Sequence, residues 1–126
     1  MKPSRLKRPA RNRELATLII VKIRLFDLDQ LPEGSALSFT LGSKQAFAIH
    51  REGAIYAYLN ACPHLGIPLE WMPNEFLDDE NELIQCSTHG ALFLIDTGEC
   101  VSGPCRGDRL TPIAIQQDAT SVYLDE

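Results

Sequence analysis

Apolar residues in this chain come in short runs broken by Gly, Pro, Asn and Asp, a rhythm of strands and turns rather than of long amphipathic helices. Leu18 to Leu25 alternates well enough for a first strand, and Asp27 to Gly34, containing Leu31-Pro32-Glu33-Gly34, reads as a turn-rich connection. Ala46 to His50 and Ala54 to Tyr58 flank Arg51-Glu52-Gly53, which predicts a three-residue hairpin loop with Gly where φ is positive. Glu82 to Gln85 forms another strand. Leu92 to Ile95 then pairs with Glu99 to Val101 through Asp96-Thr97-Gly98. Ile113 to Gln116 and Ser121 to Leu124, joined by Gln117-Asp118-Ala119-Thr120, close the domain. The pattern predicts an all-β fold without internal repeats.

At 126 residues and 44% apolar content the chain is long enough for one domain with its own core, and its spread of charges suits a globular protein. The longest apolar run, Leu18-Ile19-Ile20-Val21, ends at Lys22, far short of the roughly 20 residues that span a bilayer. With no apolar segment of the secretory type either, the expectation is a cytoplasmic protein with no membrane insertion. Charge is unevenly placed: residues 1–13 carry +6 and the rest −11, which gives the net −5. The basic arm has prolines but no aromatic residue for stacking on bases, so residues 1–15 read as a solvated, disordered arm and 16–126 as the domain, with no nucleic-acid partner.

Candidate chemistry concentrates in two turn-like segments, Cys62-Pro63-His64-Leu65-Gly66 and Cys86-Ser87-Thr88-His89-Gly90. Two thiols and two imidazoles in matched pairs point to a metal centre. Structural zinc usually takes ligands two to four residues apart within a pair, for which Cys62-x-His64 is tight. A two-iron cluster offers another solution, in which each loop gives its Cys to one iron and its His to the other. A zinc-stabilised interaction module remains the alternative, and nucleophilic catalysis by Cys86 and His89 would use only half of the constellation.

Cys-x-His followed after a long gap by Cys-x-x-His resembles the signature of the Rieske [2Fe-2S] family. The likeness extends to Leu65-Gly66, Gly90, Phe93, Asp96-Thr97-Gly98 and Gly103-Pro104, and covers roughly residues 16–126. It implies an antiparallel β-sandwich with a cluster-binding subdomain of two loops, and one [2Fe-2S] cluster per chain. Cys62 and Cys86 would bind one iron as thiolates, and His64 and His89 the other. The imidazole edges would lie at the surface, where an electron can leave.

Departures from the family's high-potential branch narrow the expectation. That branch braces its loops with a disulfide, which Ile67, Ser87 and Thr88 do not allow here, and it donates Ser and Tyr hydroxyls to sulfur where this chain has Ala91 and Phe93. Fewer hydrogen bonds to sulfur mean a less stabilised reduced state, so the potential is expected near the low end of the Rieske range, roughly −150 mV. This points to a Rieske-type ferredoxin of the oxygenase-associated type, passing single electrons from a flavin-containing reductase to a terminal oxygenase or other reductase. A small subunit of a nitrite reductase is the other reading by resemblance. An oxygenase needs a second iron site held by two histidines and a carboxylate, and only His50 remains, read here as an ordinary strand residue. Cys100 and Cys105 are read as free thiols rather than a disulfide, with Gly103-Pro104-Cys105 as a proline loop over the cluster. The acids Glu70, Glu75, Asp78, Asp79, Glu80 and Glu82 form either a solvated loop or a surface that steers the chain onto a basic partner.

Overall fold

The computed structural model describes residues 23–63, 66–70, 74–88 and 90–125. The basic arm, its boundary with the domain, most of the strand predicted from Leu18, and both His64 and His89 lie outside the described residues. Within them are β1 (Arg24–Asp27), a single 3-10 turn (Leu28–Gln30), β2 (Ala36–Leu41), β3 (Lys44–Arg51), β4 (Ala54–Leu59), β5 (Leu83–Gln85), β6 (Leu92–Leu94), β7 (Cys100–Ser102), β8 (Ile115–Gln117) and β9 (Ser121–Leu124). They form three antiparallel sheets, ordered β1-β9-β8, β2-β3-β4 and β5-β6-β7. No helix among the described residues is long and apolar enough to cross a membrane.

The central sheet serves two cores. Ala46, Phe47, Ala48 and Ile49 of β3 are all buried, so this strand lacks a polar face. Side chains still alternate sides, and here the alternation is in size. Phe47 and Ile49 join Tyr58, Phe76, Ile84, Phe93 and Leu110 in a core on the side of the third sheet. Ala48 and Ala57, directly paired across β3 and β4, face Phe26, Leu31 and Val122 on the other side. Two alanines opposite one another leave room for the bulky residues of the β1-β9-β8 sheet, and this half is the β-sandwich.

Local turn chemistry sets the register. Arg51 pairs with Ala54, so the hairpin loop is the two residues Glu52-Gly53, not the predicted three. Their φ values of 53° and 81° match the turn type that suits strand twist best. The Glu33 carboxylate accepts the backbone N–H groups of both, and these bonds hold its pKa below the ordinary glutamate value. Strand β2 was not among the predicted elements. It is joined to β3 by Gly42-Ser43 and pairs along its whole length, from Ala36 with Ile49 to Leu41 with Lys44. The strand predicted over Ile113 to Gln116 starts later, at Ile115, because Ile113 N–H is taken by Ala57 O (2.9 Å) and Pro112 bridges to Tyr58.

Candidate metal centre

Cys62 follows the central sheet by two residues, and Cys86 follows β5 directly. Both are fully buried and belong to the same core. Their backbones share one frame. Cys62 N–H donates to Ile67 O (2.7 Å) and Cys62 O accepts from Gly66 N–H (2.6 Å). Cys86 N–H donates to Ala91 O (2.9 Å) and Cys86 O accepts from Gly90 N–H (2.8 Å). Each cysteine is thus the first residue of a turn of equal length, closed by a glycine at φ 73° or 70°. Side chains disfavour that conformation, which is why Gly stands at both places.

The two turns are also tied together. Ser87 N–H of the second donates to Leu69 O beyond the first (2.7 Å). The nearly buried Asn60 braces the first loop from within: its Oδ1 accepts from Leu69 N–H (2.8 Å), and its Nδ2 donates to Glu70 Oε1 (2.8 Å). Asn60 is not among the residues expected to matter, although an Asn at the end of a strand and the start of a loop is a common backbone brace.

A third segment covers the second turn. Gly103, at φ 104°, lies so close to the Ala91 backbone that a Cβ would sit 2.7 Å from Ala91 Cα. Only a residue without a side chain fits there. Next along, Cys105 is buried, and its Sγ lies 3.0 Å from Cys100 Sγ as a thiol donating to a thiol, not a disulfide, which would need about 2.05 Å. Burial pushes the Cys105 thiol up to about 12, and its hydrogen bond to Cys100 pushes the same way. Cys100 in turn donates to Ser102 O at 3.3 Å.

Of the predicted ligands, the structure brings Cys62 and Cys86 into one core in matched turns, while His64 and His89 are outside the described residues. Two buried sulfurs, each set by glycine-closed turns at the edge of one core, fit a cluster that takes a thiolate from each loop. His50 sits in β3, with Nδ1 2.9 Å from Leu31 O and Nε2 3.4 Å from Glu33, as expected for a strand residue. Two of the six acids have structural duties: Glu70 accepts from Asn60, and Asp78 Oδ1 accepts from the N–H groups of Glu82 and Leu83. Glu75, Asp79, Glu80 and Glu82 are exposed.

A model of the Rieske [2Fe-2S] domain matches residues 22–117. The ferredoxin component of the naphthalene 1,2-dioxygenase/salicylate 5-hydroxylase systems of Ralstonia sp. is 32% identical over 90 residues, 71% of this chain and 82% of that protein. The biphenyl dioxygenase ferredoxin subunit of Pseudomonas sp. (strain KKS102) is 27% identical over 90 residues, with 71% and 79% covered. Among solved structures, the ferredoxin of carbazole 1,9a-dioxygenase from Nocardioides aromaticivorans IC177 superposes with a TM-score of 0.68 at 23% identity, covering 83% of this chain and 97% of that one.

Proposed function

Since the chain belongs to the Rieske [2Fe-2S] domain family and carries a cluster of that type, we propose that it is a one-electron carrier of a dioxygenase system, with Cys62, His64, Cys86 and His89 as the cluster ligands. It takes electrons from a flavin-containing reductase and hands them to a terminal oxygenase, and it works in the cytoplasm. The observation that carries the ligand assignment is the identical hydrogen-bond frame around Cys62 and Cys86. Equivalent turns present equivalent cysteine donors, as a centre that takes one thiolate from each loop requires.

The cluster supplies the one-electron redox couple when bound. The chain supplies its surroundings. Fully buried Ile84, Phe93 and Leu69 fill the space about the two cysteines and exclude water. Ala91 and Phe93, both fully buried, offer no hydroxyl to sulfur, which supports a potential at the low end of the family's range. Basic residues 1–15 form a separate solvated arm in this reading, and 16–126 the cluster domain.

The test is iron and acid-labile sulfide content, with EPR of the dithionite-reduced protein purified without oxygen. Two iron and two sulfide per chain with a lowered average g value are expected, and Cys86→Ser abolishes that spectrum. One zinc with no sulfide, or a wild-type spectrum in Cys86→Ser, overturns the reading.

A further inference from the structure

Cys100 and Cys105 are the two cysteines that the proposed centre leaves unused, and their sulfurs touch. Cys105 Sγ lies 3.0 Å from Cys100 Sγ, closer than the roughly 3.5 Å at which even two carbon atoms rest. The backbone of one residue holds both cysteines in place. Asp108 N–H donates to Cys105 O (2.8 Å), and Asp108 O accepts from Cys100 N–H (2.9 Å), so a single unit clamps them side by side. A disulfide has its sulfurs about 2.05 Å apart, which asks the pair to close by about 1 Å. Both sulfurs are buried, but Ser102, Gly103, Pro104 and Arg106 around them are exposed. Gly103, midway between the two cysteines in the chain, lies against the Ala91 backbone, so the pair brackets the segment that covers the turn at Cys86.

We propose that Cys100 and Cys105 are a dithiol that a hydroperoxide closes to a disulfide, and that the closed form pins the covering segment over the turn at Cys86. The chemistry runs in two steps. One thiol sulfur attacks the peroxide, whose O–O bond breaks, giving a sulfenic acid and, from hydrogen peroxide, one water. The second sulfur then attacks the first, the S–S bond forms, and the sulfenic hydroxyl leaves as a second water with the remaining thiol proton. The sulfurs lose two electrons in total and the peroxide gains them. Burial makes the first step slow and restricts it to a small oxidant. The second is fast because its reacting atoms are already in contact. Closure of the bond does not depend on which residues bind the cluster, whereas its effect on cluster retention rests on Cys86 being a ligand.

The experiment treats the cluster-loaded full chain with hydrogen peroxide in small steps, quenches in acid, alkylates free thiols and maps the peptides by mass. The peptide holding Cys100 and Cys105 should lose two hydrogens and take up no alkyl group, with iron content and visible circular dichroism retained, and dithiothreitol should reverse the change. Cys105→Ser should instead leave Cys100 to alkylate or to oxidise further. A pair that still alkylates in full, that goes to sulfinic acid without the disulfide, or that bridges only in chain already stripped of iron overturns the proposal. Iron release to a chelator then reads the pinning. A short loop gains little from closure, so the bridged chain should release iron about threefold more slowly than the reduced one, a difference absent in Cys105→Ser. Equal rates in bridged and reduced wild type defeat the pinning. Iron and sulfide content before treatment separates this from the cluster reading: chain without them sinks that reading, while the mass of the Cys100–Cys105 peptide still decides whether the pair closes.

Discussion

The turn at Cys62 is held by a side chain, the turn at Cys86 by backbone. Around Cys62, the loop is closed by the buried amide of Asn60, which bonds to Leu69 and Glu70. Around Cys86, the turn is the tip of the β5–β6 hairpin, with Gly103 laid directly on Ala91. The same frame of N–H and C=O bonds results in both cases. What differs is which residue can be removed without losing it. A turn at the tip of a hairpin inherits its register from the strands, while a loop leaving the edge of a sheet needs a local brace.

Gly103→Ala should have the largest effect and strike the second turn alone. Its Cβ would meet the Ala91 backbone at 2.7 Å, and its φ of 104° is unfavourable to any side chain. Overpacking and strain together should cost about 3 kcal/mol, read by chemical denaturation alongside cluster occupancy. Stability equal to wild type would mean that the covering segment moves freely. Asn60→Ala comes next and should loosen only the first loop. Losing the bonds to Leu69 and Glu70 should cost about 2 kcal/mol, and amide exchange at Leu69 should quicken while that at Gly90 does not. Equal quickening at both would show the turns to be one unit. Gly66→Ala and Gly90→Ala are the finest probes. Neither Cβ would meet an atom within 4 Å, so each should cost only the backbone strain, about 1 kcal/mol. Unequal costs would break the equivalence of the two frames.

The strands that carry the site could be read from the chain because their patterns are local. Leu83 to Gln85 and Leu92 to Leu94 are short apolar runs between turn residues, and Cys86 and Cys62 follow where such runs end. Strand β2 is equally legible in principle, since Leu37, Phe39 and Leu41 alternate with Ser38 and Thr40 before Gly42, but the run is short and half polar, a weaker pattern than that of β3. The turn at Glu52-Gly53 was misjudged by one residue because positive φ at Glu52 is not suggested by its type and depends on the distant Glu33 carboxylate. The clasp of Asn60 on Leu69 and Glu70 depends on how the loop folds back on itself, which no strand or turn pattern specifies. Two motif cysteines announced themselves by spacing. Cys100 and Cys105 carry no such motif, and their approach to 3.0 Å depends on how the turn between them folds.

Strand β3 is paired along both edges and covered on both faces. No partial opening can wet its central amides, so the N–H groups of Phe47 and Ala48 should exchange with deuterium only when the whole domain unfolds. Those two amides are therefore a gauge of global stability. Comparing their exchange rates with and without the cluster would read out how much binding it stabilises the fold, with no chromophore involved.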